Sequence, residues 1–317
     1  MPVSLTIGVD VGGTKIAAGV VTEDGTLLEE QRRDTPALDA PATEEAIADA
    51  VRDLCSRHTA EAVGIAAAGY VDAERSSVLF APNLAWRDEP LREAVEGLTD
   101  LPVVVENDAN AAAWGEFRFG AAADVEDSLM VALGTGIGGA IVIDGDLFRG
   151  TFGVAGEFGH MRVVPDGHLC GCGNHGCWEQ YASGKAMTRA AREAAAEGLP
   201  QAAELIARAG GDPDKITGQL IMEAARDGEG FALAAFGTLA RWLGEGLADL
   251  AAAFDPGVIV LGGGVSEAGN LLLEPTRAAF LRQLPGRGHR PEAELRLAQL
   301  GNKAGMVGVA DLARHRP

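Results

Sequence analysis

Basic residues are scarce in this 317-residue chain: 26 lysines and arginines face 46 aspartates and glutamates, a formal net charge of −20 at pH 7. A surface of that sign repels polyphosphate backbones and anionic headgroups, so neither nucleic acid nor membrane is an expected partner. An anionic nucleotide would need local help from backbone amides, a lysine or a divalent cation. Long apolar runs are also missing. No segment approaches 18 uncharged apolar residues, and LADLAAAF is broken by Asp249 and stopped at Asp255-Pro256, the pattern of a core helix. The opening MPVSLTIGVDVGG has no basic n-region and no long apolar h-region, which excludes a signal peptide reading. A soluble, cytoplasmic chain is expected. Aromatic residues are few, 5% against 47% hydrophobic residues in all, so the interior should be packed from Ala, Val and Leu. The length suits one large or two medium domains.

Cysteine is rare too, with four in the chain, yet Cys170, Cys172 and Cys177 fall together in EFGHMRVVPDGHLCGCGNHGCWE. Glycines between them let a short backbone turn its thiolates toward one point, as a zinc knuckle requires. His160, His168 and His175 are all near enough in sequence to supply a fourth ligand, and spacing does not choose among them. Free thiols and a disulfide are the competing readings; reduced cytoplasmic thiols favour metal over the disulfide. The flanking Glu157 and Glu179 would be held in fixed positions by such a loop. Cys55 falls with Ile47, Val51 and Leu54 at helical spacing and reads as an inert core residue.

The chain contains one opening twice. LTIGVDVGGTKIAAGVVTEDGTLLEE reads as strand, glycine turn, strand, Asp24-Gly25 turn and strand, and LMVALGTGIGGAIVIDGDLFRG repeats the pattern about 120 residues later. Between them, strands at EAVGIAAAGYV and LPVVVEND alternate with helices at TEEAIADAVRDLCSRH, PLREAVEGL and ANAAAWGEFRFG. Alanine-rich helices follow the cysteine segment to about residue 254, then VIVLGGGV, a helix, AELRLAQL and a last helix from Gly305 to Arg314. Alternation of this kind indicates an α/β architecture of two related lobes.

Three glycine turns and one strand end carry the chemistry. Asp10, Gly12, Gly13, Thr14 and Lys15 place a carboxylate beside amides that can approach a phosphate; Asp10 could orient hydrated magnesium, Thr14 could bond a phosphate oxygen, and Lys15 is a counter-charge or simply solvated. A tight hairpin with an Asx turn is the bland alternative, and the missing GKS or GKT ending excludes a Walker loop. Gly134, Thr135 and Gly136 begin a formal GxGxxG, but a strand follows where a dinucleotide fold needs a helix. Gly262, Gly263 and Gly264 suit a flat adenine ring or close helix packing equally. At the end of VVVENDANAAAW, Asn107 and Asp108 can bind adjacent hydroxyls, or Asn107 or Asp108 merely caps the next helix. With Gly69 and Asn83 at other strand ends, the set Asn83, Asn107, Asp108, Glu157, His160 and Glu179 suits a neutral polyhydroxyl ligand.

Together DVGGTK, APNLAW, ENDANAAAWGE, LGTGIGG, EFGH, CGCGNHGCWE and LGGGV resemble a sugar kinase of the repressor, open-reading-frame and kinase (ROK) family, more narrowly the actinobacterial-type glucokinases, over essentially the whole chain. The resemblance implies an actin-like ATPase (ribonuclease H-like) fold of two lobes around a cleft. Its small domain would be 1–118, completed by a C-terminal helix at about 303–317, and its large domain 119–302 with the zinc loop. It further implies that Asp108 is the catalytic base, that Gly69, Asn83, Asn107, Glu157, His160 and Glu179 meet sugar, and that zinc is held by His160, Cys170, Cys172 and Cys177. ATP with catalytic magnesium would phosphorylate the 6-hydroxyl of glucose, in a homodimer or homotetramer. A kinase for another hexose or an N-acetylated amino sugar is the alternative enzyme, and a sugar-responsive regulator without turnover the alternative class. Repressor members carry a DNA-binding domain ahead of this core; with the phosphate turn starting at Asp10, none is expected here.

Overall fold

A computed structural model describes residues 4–315. The last two residues of the expected C-terminal helix, Arg316 and Pro317, lie outside them. Strands Thr6–Val11 (β1), Lys15–Val21 (β2) and Leu27–Asp34 (β3) form the first meander. Helix Ala40–Cys55 (α1) follows, started by Asp39, whose side chain accepts from the Ala42 N–H, and by Pro41 in its first turn. Next come Val63–Ala67 (β4), the short strands Tyr70–Val71 (β5), Val78–Phe80 (β6) and Arg87–Glu89 (β7), helix Leu91–Thr99 (α2), strand Val103–Asn107 (β8) and helix Asp108–Phe119 (α3). The second meander is Ser128–Leu133 (β9), Ile137–Ile143 (β10) and Asp146–Leu147 (β11). Helices Glu179–Ala182 (α4), Gly184–Ala196 (α5), Ala203–Arg208 (α6), Gly218–Arg226 (α7) and Gly230–Phe254 (α8) then precede Val258–Gly262 (β12), Asn270–Gln283 (α9), Glu294–Leu297 (β13) and Ala304–Arg314 (α10). As expected, α8 stops where Asp255 turns left-handed ahead of Pro256. No described helix is long and apolar enough to cross a membrane.

The meanders organise two five-stranded sheets of equivalent order, β3-β2-β1-β4-β8 and β11-β10-β9-β12-β13, with β5-β6-β7 as a third small sheet. In the first, β1 pairs antiparallel with β2 but parallel with β4, and β4 parallel with β8. This repeated arrangement is the actin-like ATPase fold. The chain divides into two compact units. One takes in the described residues up to Leu129, Ala140–Gly156 and the described residues from Gln299; the other is Met130–Gly139 with Glu157–Ala298.

Alternation along β1 sets up the layers of the first unit. Ile7, Val9 and Val11 enter a buried cluster with Ile47, Val51 and Leu54 of α1 and Leu91 and Val95 of α2. Each such side chain contributes about 1.5–3 kcal/mol by leaving water. The opposite face belongs to α3 and α10, as Ala66, Ala111 and Val309 pack together. Backbone meets backbone there: a methyl group on Gly8 or Gly64 would overlap the carbonyl oxygen of Met306 or Val309. Glu116 on α3 completes this side, accepting from the N–H groups of Ala121, Gln299 and Leu300 at 2.7–3.0 Å.

Candidate active site

Parallel strands β1, β4 and β8 end at one edge of the first sheet, with Asp10 in register with Ala66 and Asn107 with Ala67. The bland reading of Asn107 is correct as far as it goes: its Oδ1 caps α3 by accepting from the Asn110 N–H at 3.0 Å. Its Nδ2 donates to Gly69 O at 3.0 Å and to Asp108 Oδ1 at 3.1 Å. Gly69 takes part through its carbonyl, and a methyl there would overlap the Phe80 carbonyl. Asp108 Oδ1 also accepts from the Ala109 N–H at 2.9 Å. Thus one carboxylate oxygen is fixed while the other takes no part in these bonds. Burial raises the Asp108 carboxyl above the usual range, opposed by the Ala109 and Asn107 donors. Asp10 rises to about 6, through burial first and the Asp108 charge second. Two buried carboxyl groups, one of them made harder to ionise by the charge of the other, are a donor set suited to a hard divalent cation.

Gly12, Gly13 and Thr14 form the turn into β2, tied by Gly12 N–H to Lys15 O and buttressed by Thr35, whose hydroxyl donates to Gly12 O at 2.8 Å. Thr14 is exposed. Lys15 follows the solvated reading: its ammonium bonds Asp34 at 2.5 Å, with both side chains mostly in water. Asn83 lies in the turn after β6 rather than at a strand end, close enough to Gly13 that a methyl there would sit 3.1 Å from its Cβ.

In the second unit, the cysteine segment is a knuckle with little regular structure. It is braced by bridges Arg162–Cys177 and Leu169–His175 and by Gly176, whose φ of +79° no side chain could share beside the Val164 carbonyl. Trp178, fully buried, anchors it to α8 through Nε1–H to Trp242 O at 2.9 Å. One donor atom from each of His160, Cys170, Cys172 and Cys177 lies within 4.8 Å of all the others. Cys172 and Cys177 sulfurs are 3.6 Å apart, as are His160 Nδ1 and Cys170 Sγ. A tetrahedral zinc with bonds of about 2.0–2.3 Å spaces its ligands at roughly this distance. A disulfide needs about 2 Å, and all four cysteines are free. His168 and His175 stay outside the cluster; His168 stacks near Tyr181 instead.

His160 turns its other ring nitrogen toward Glu157, with Nε2 3.9 Å from Oε2. Glu179 touches the knuckle directly, its Oε1 accepting from the Cys170 thiol at 3.0 Å. Its Oε2 occupies the space a methyl on Gly136 would need, so the second glycine turn and the knuckle meet at Glu179.

A cavity of about 780 Å³ opens beside that turn, within the size range of nucleotide sites. Gly134 and Thr135 line it, and of the third glycine cluster Gly264 alone does so. Gly263, at φ +79°, instead fits against the Leu133 backbone, and a methyl on Gly262 would crowd Met130. Close packing therefore accounts for Gly262 and Gly263, against strand β9 rather than a helix, and leaves Gly264 on the cavity wall. Sequence reasoning missed the start of α5 on the same wall, where Gly184, Lys185 and Thr188 lie. The Gly184 N–H donates to Gly134 O at 2.9 Å, and Ser183 caps the helix. A signal was present: α5 has no acidic residue in its first turn and carries Lys185 there, against the helix dipole. An anion bound beside it would offset that cost.

The family model described as ROK family matches residues 6–316. Glucokinase of Streptomyces coelicolor is 55% identical over 311 residues, 98% of each chain. Among solved structures, a ROK family glucokinase from Streptomyces griseus in complex with glucose and AMPPNP is similar at TM-score 0.90 and 56% identity, over 99% of this chain and 100% of that one. ROK hexokinase from Thermus thermophilus follows at TM-score 0.82 and 37% identity, over 98% of each. The chain belongs to the ROK family.

Proposed function

We propose that this chain is an ATP-dependent glucokinase of the cytoplasm, transferring the γ-phosphoryl group of ATP to the 6-hydroxyl of glucose. What supports the reading most is the Asp108 carboxylate, one oxygen fixed and its basicity raised by burial, in a chain 56% identical to a glucokinase bound to glucose and AMPPNP. Phosphoryl transfer asks mainly for positioning and charge neutralisation. Asp108 takes the hydroxyl proton as the sugar oxygen bonds to phosphorus and the bond to ADP breaks. Amides of Gly12 to Thr14 and Gly134 to Gly136, with Lys185, steady the phosphates. Asp10 would hold the magnesium ion that arrives with ATP and neutralises phosphate charge. Gly69, Asn83, Asn107, Glu157, His160 and Glu179 orient the sugar, Asn107 and Gly69 chiefly by holding Asp108. Zinc would fix His160 Nδ1 among the cysteines, leaving Nε2 for a sugar hydroxyl. The assembly is proposed to be a homodimer or homotetramer, which light scattering at assay concentration reads directly.

Two measurements test this. In a coupled assay crossing glucose, fructose, mannose and N-acetylmannosamine with ATP and polyphosphate, glucose with ATP should give the highest kcat/KM; a clear preference for another pair overturns the assignment. Asp108→Asn should lower kcat by about 10²–10⁴-fold while glucose still binds, and undiminished turnover removes Asp108 from its role.

A further inference from the structure

Behind Asp108 lies a charged group that the mechanism above does not use. Glu106, the neighbour of Asn107 on β8, has no solvent exposure. Its Oε1 accepts from the Asn107 N–H at 2.9 Å and from Asn110 Nδ2 at 3.1 Å, so it pins the chain on both sides of Asp108. Two arginines neutralise it. Arg75 places Nε 2.9 Å from Oε2. Arg149 places Nε 2.8 Å from Oε2 and 3.1 Å from Oε1. Its two terminal nitrogens donate to Ala73 O and Asp72 O at 2.8 and 2.7 Å. Arg149 also opens the segment that leads to Glu157, and its carbonyl accepts from the Ala155 N–H at 3.0 Å, two residues short of that glutamate.

A buried ion pair is weak grounds for stability, because desolvation offsets most of the attraction. The rigid guanidinium fork is better matched to holding several acceptors in fixed directions at once. We propose that Arg149 is a positioning residue for phosphoryl transfer: its guanidinium ties Glu106, and through it the turn that presents Asp108, to the backbone at Asp72 and Ala73. The inference rests on the kinase reading above. Its chemistry is geometric, since Arg149 neither donates to nor accepts from the reacting atoms. A displacement of about 1 Å at a catalytic carboxylate is enough to cost roughly 10²-fold in rate.

The test compares variants in the glucose and ATP assay with thermal scans of each. Arg149→Met should fold with a lowered Tm, lose ten- to a hundredfold in kcat and raise the KM for glucose, while the KM for ATP stays within twofold. Arg149→Lys keeps the charge but not the fork; it should recover most of the Tm and little of the kcat, and it carries the test if the Met variant does not fold. Arg75→Met removes a charge partner but leaves the guanidinium bonds to Ala73 and Asp72 in place and should keep kcat within threefold. Near-normal kcat and glucose KM in Arg149→Lys, or equal losses in Arg75→Met, overturn the proposal. Asp108→Asn in parallel separates the two ideas: if it stays active the kinase mechanism is wrong, and if it alone is inactive only the role of Arg149 is.

Discussion

Asp10 shows what a carboxyl group costs when it is buried, and more so with a second one near it. Its folded-state value of about 6 stands above the ordinary 3.8, so the folded protein holds a proton that the unfolded chain has already shed. The group therefore favours folding below pH 4, and that contribution is lost as pH rises from about 4 to 6, on the order of 3 kcal/mol in all. In magnesium-free buffer, Asp10→Asn should raise Tm above wild type at pH 8, with the gap closing toward pH 4, while turnover falls at every pH. A gap that does not change with pH would remove the raised, buried Asp10 carboxyl as its cause. Asp10 and Asp108 could be picked out in the sequence because one lies near the end of a strand before a glycine turn and the other directly follows an apolar strand. The partners of Lys15 and Glu106 could not: Asp34 lies on another strand, and Arg149 lies in a loop 43 residues from Glu106. Nothing local to either residue reports such a meeting.

Elements meet in this protein at glycines, which makes their packing testable by single methyl groups. Gly64→Ala drives a methyl into the Val309 carbonyl, where neither strand nor helix can yield by a side-chain rotation; a loss of about 1–3 kcal/mol is expected. Gly237, inside α8 with open space around its missing side chain, should instead gain up to about 1 kcal/mol as alanine. Urea melts of the two variants read both signs, and a neutral Gly64→Ala would mean that α10 stands off the sheet. The knuckle makes a different prediction. It has few ladder bonds, so chelation of zinc should alter Trp178 fluorescence and weaken glucose binding together; chelated, zinc-free protein that keeps both would uncouple metal from sugar. Hairpins and knuckle were readable because glycine, Asp-Gly and cysteine spacings are local signals. The cavity wall at α5 was not, because Gly184 meets Gly134 only through the fold.

At the scale of the whole molecule, the charge of −20 opposes both compaction and the approach of ATP. Raising salt from about 10 to 200 mM shortens the Debye length from roughly 30 Å to under 10 Å. Tm should then rise, and the KM for ATP should fall at fixed free magnesium; the opposite trend in KM would mean that local cations govern donor capture. The doubled meander was legible because each copy carries its own turn signals, whereas the strand order of the sheets and the segment count of each unit were not. The first unit draws on three separated stretches of chain, with α10 among them. During synthesis from the N-terminus, the faces of β1 and β4 at Gly8 and Gly64 remain uncovered until residues 304–314 emerge. The unit that begins first on the ribosome is therefore finished last, after every residue of the second has been made. A chaperone that shields this bare sheet face, or an arrest peptide that stalls the chain before α10, would act on a partly folded protein whose first hairpin exists while the strands at Gly8 and Gly64 lack their covering helix.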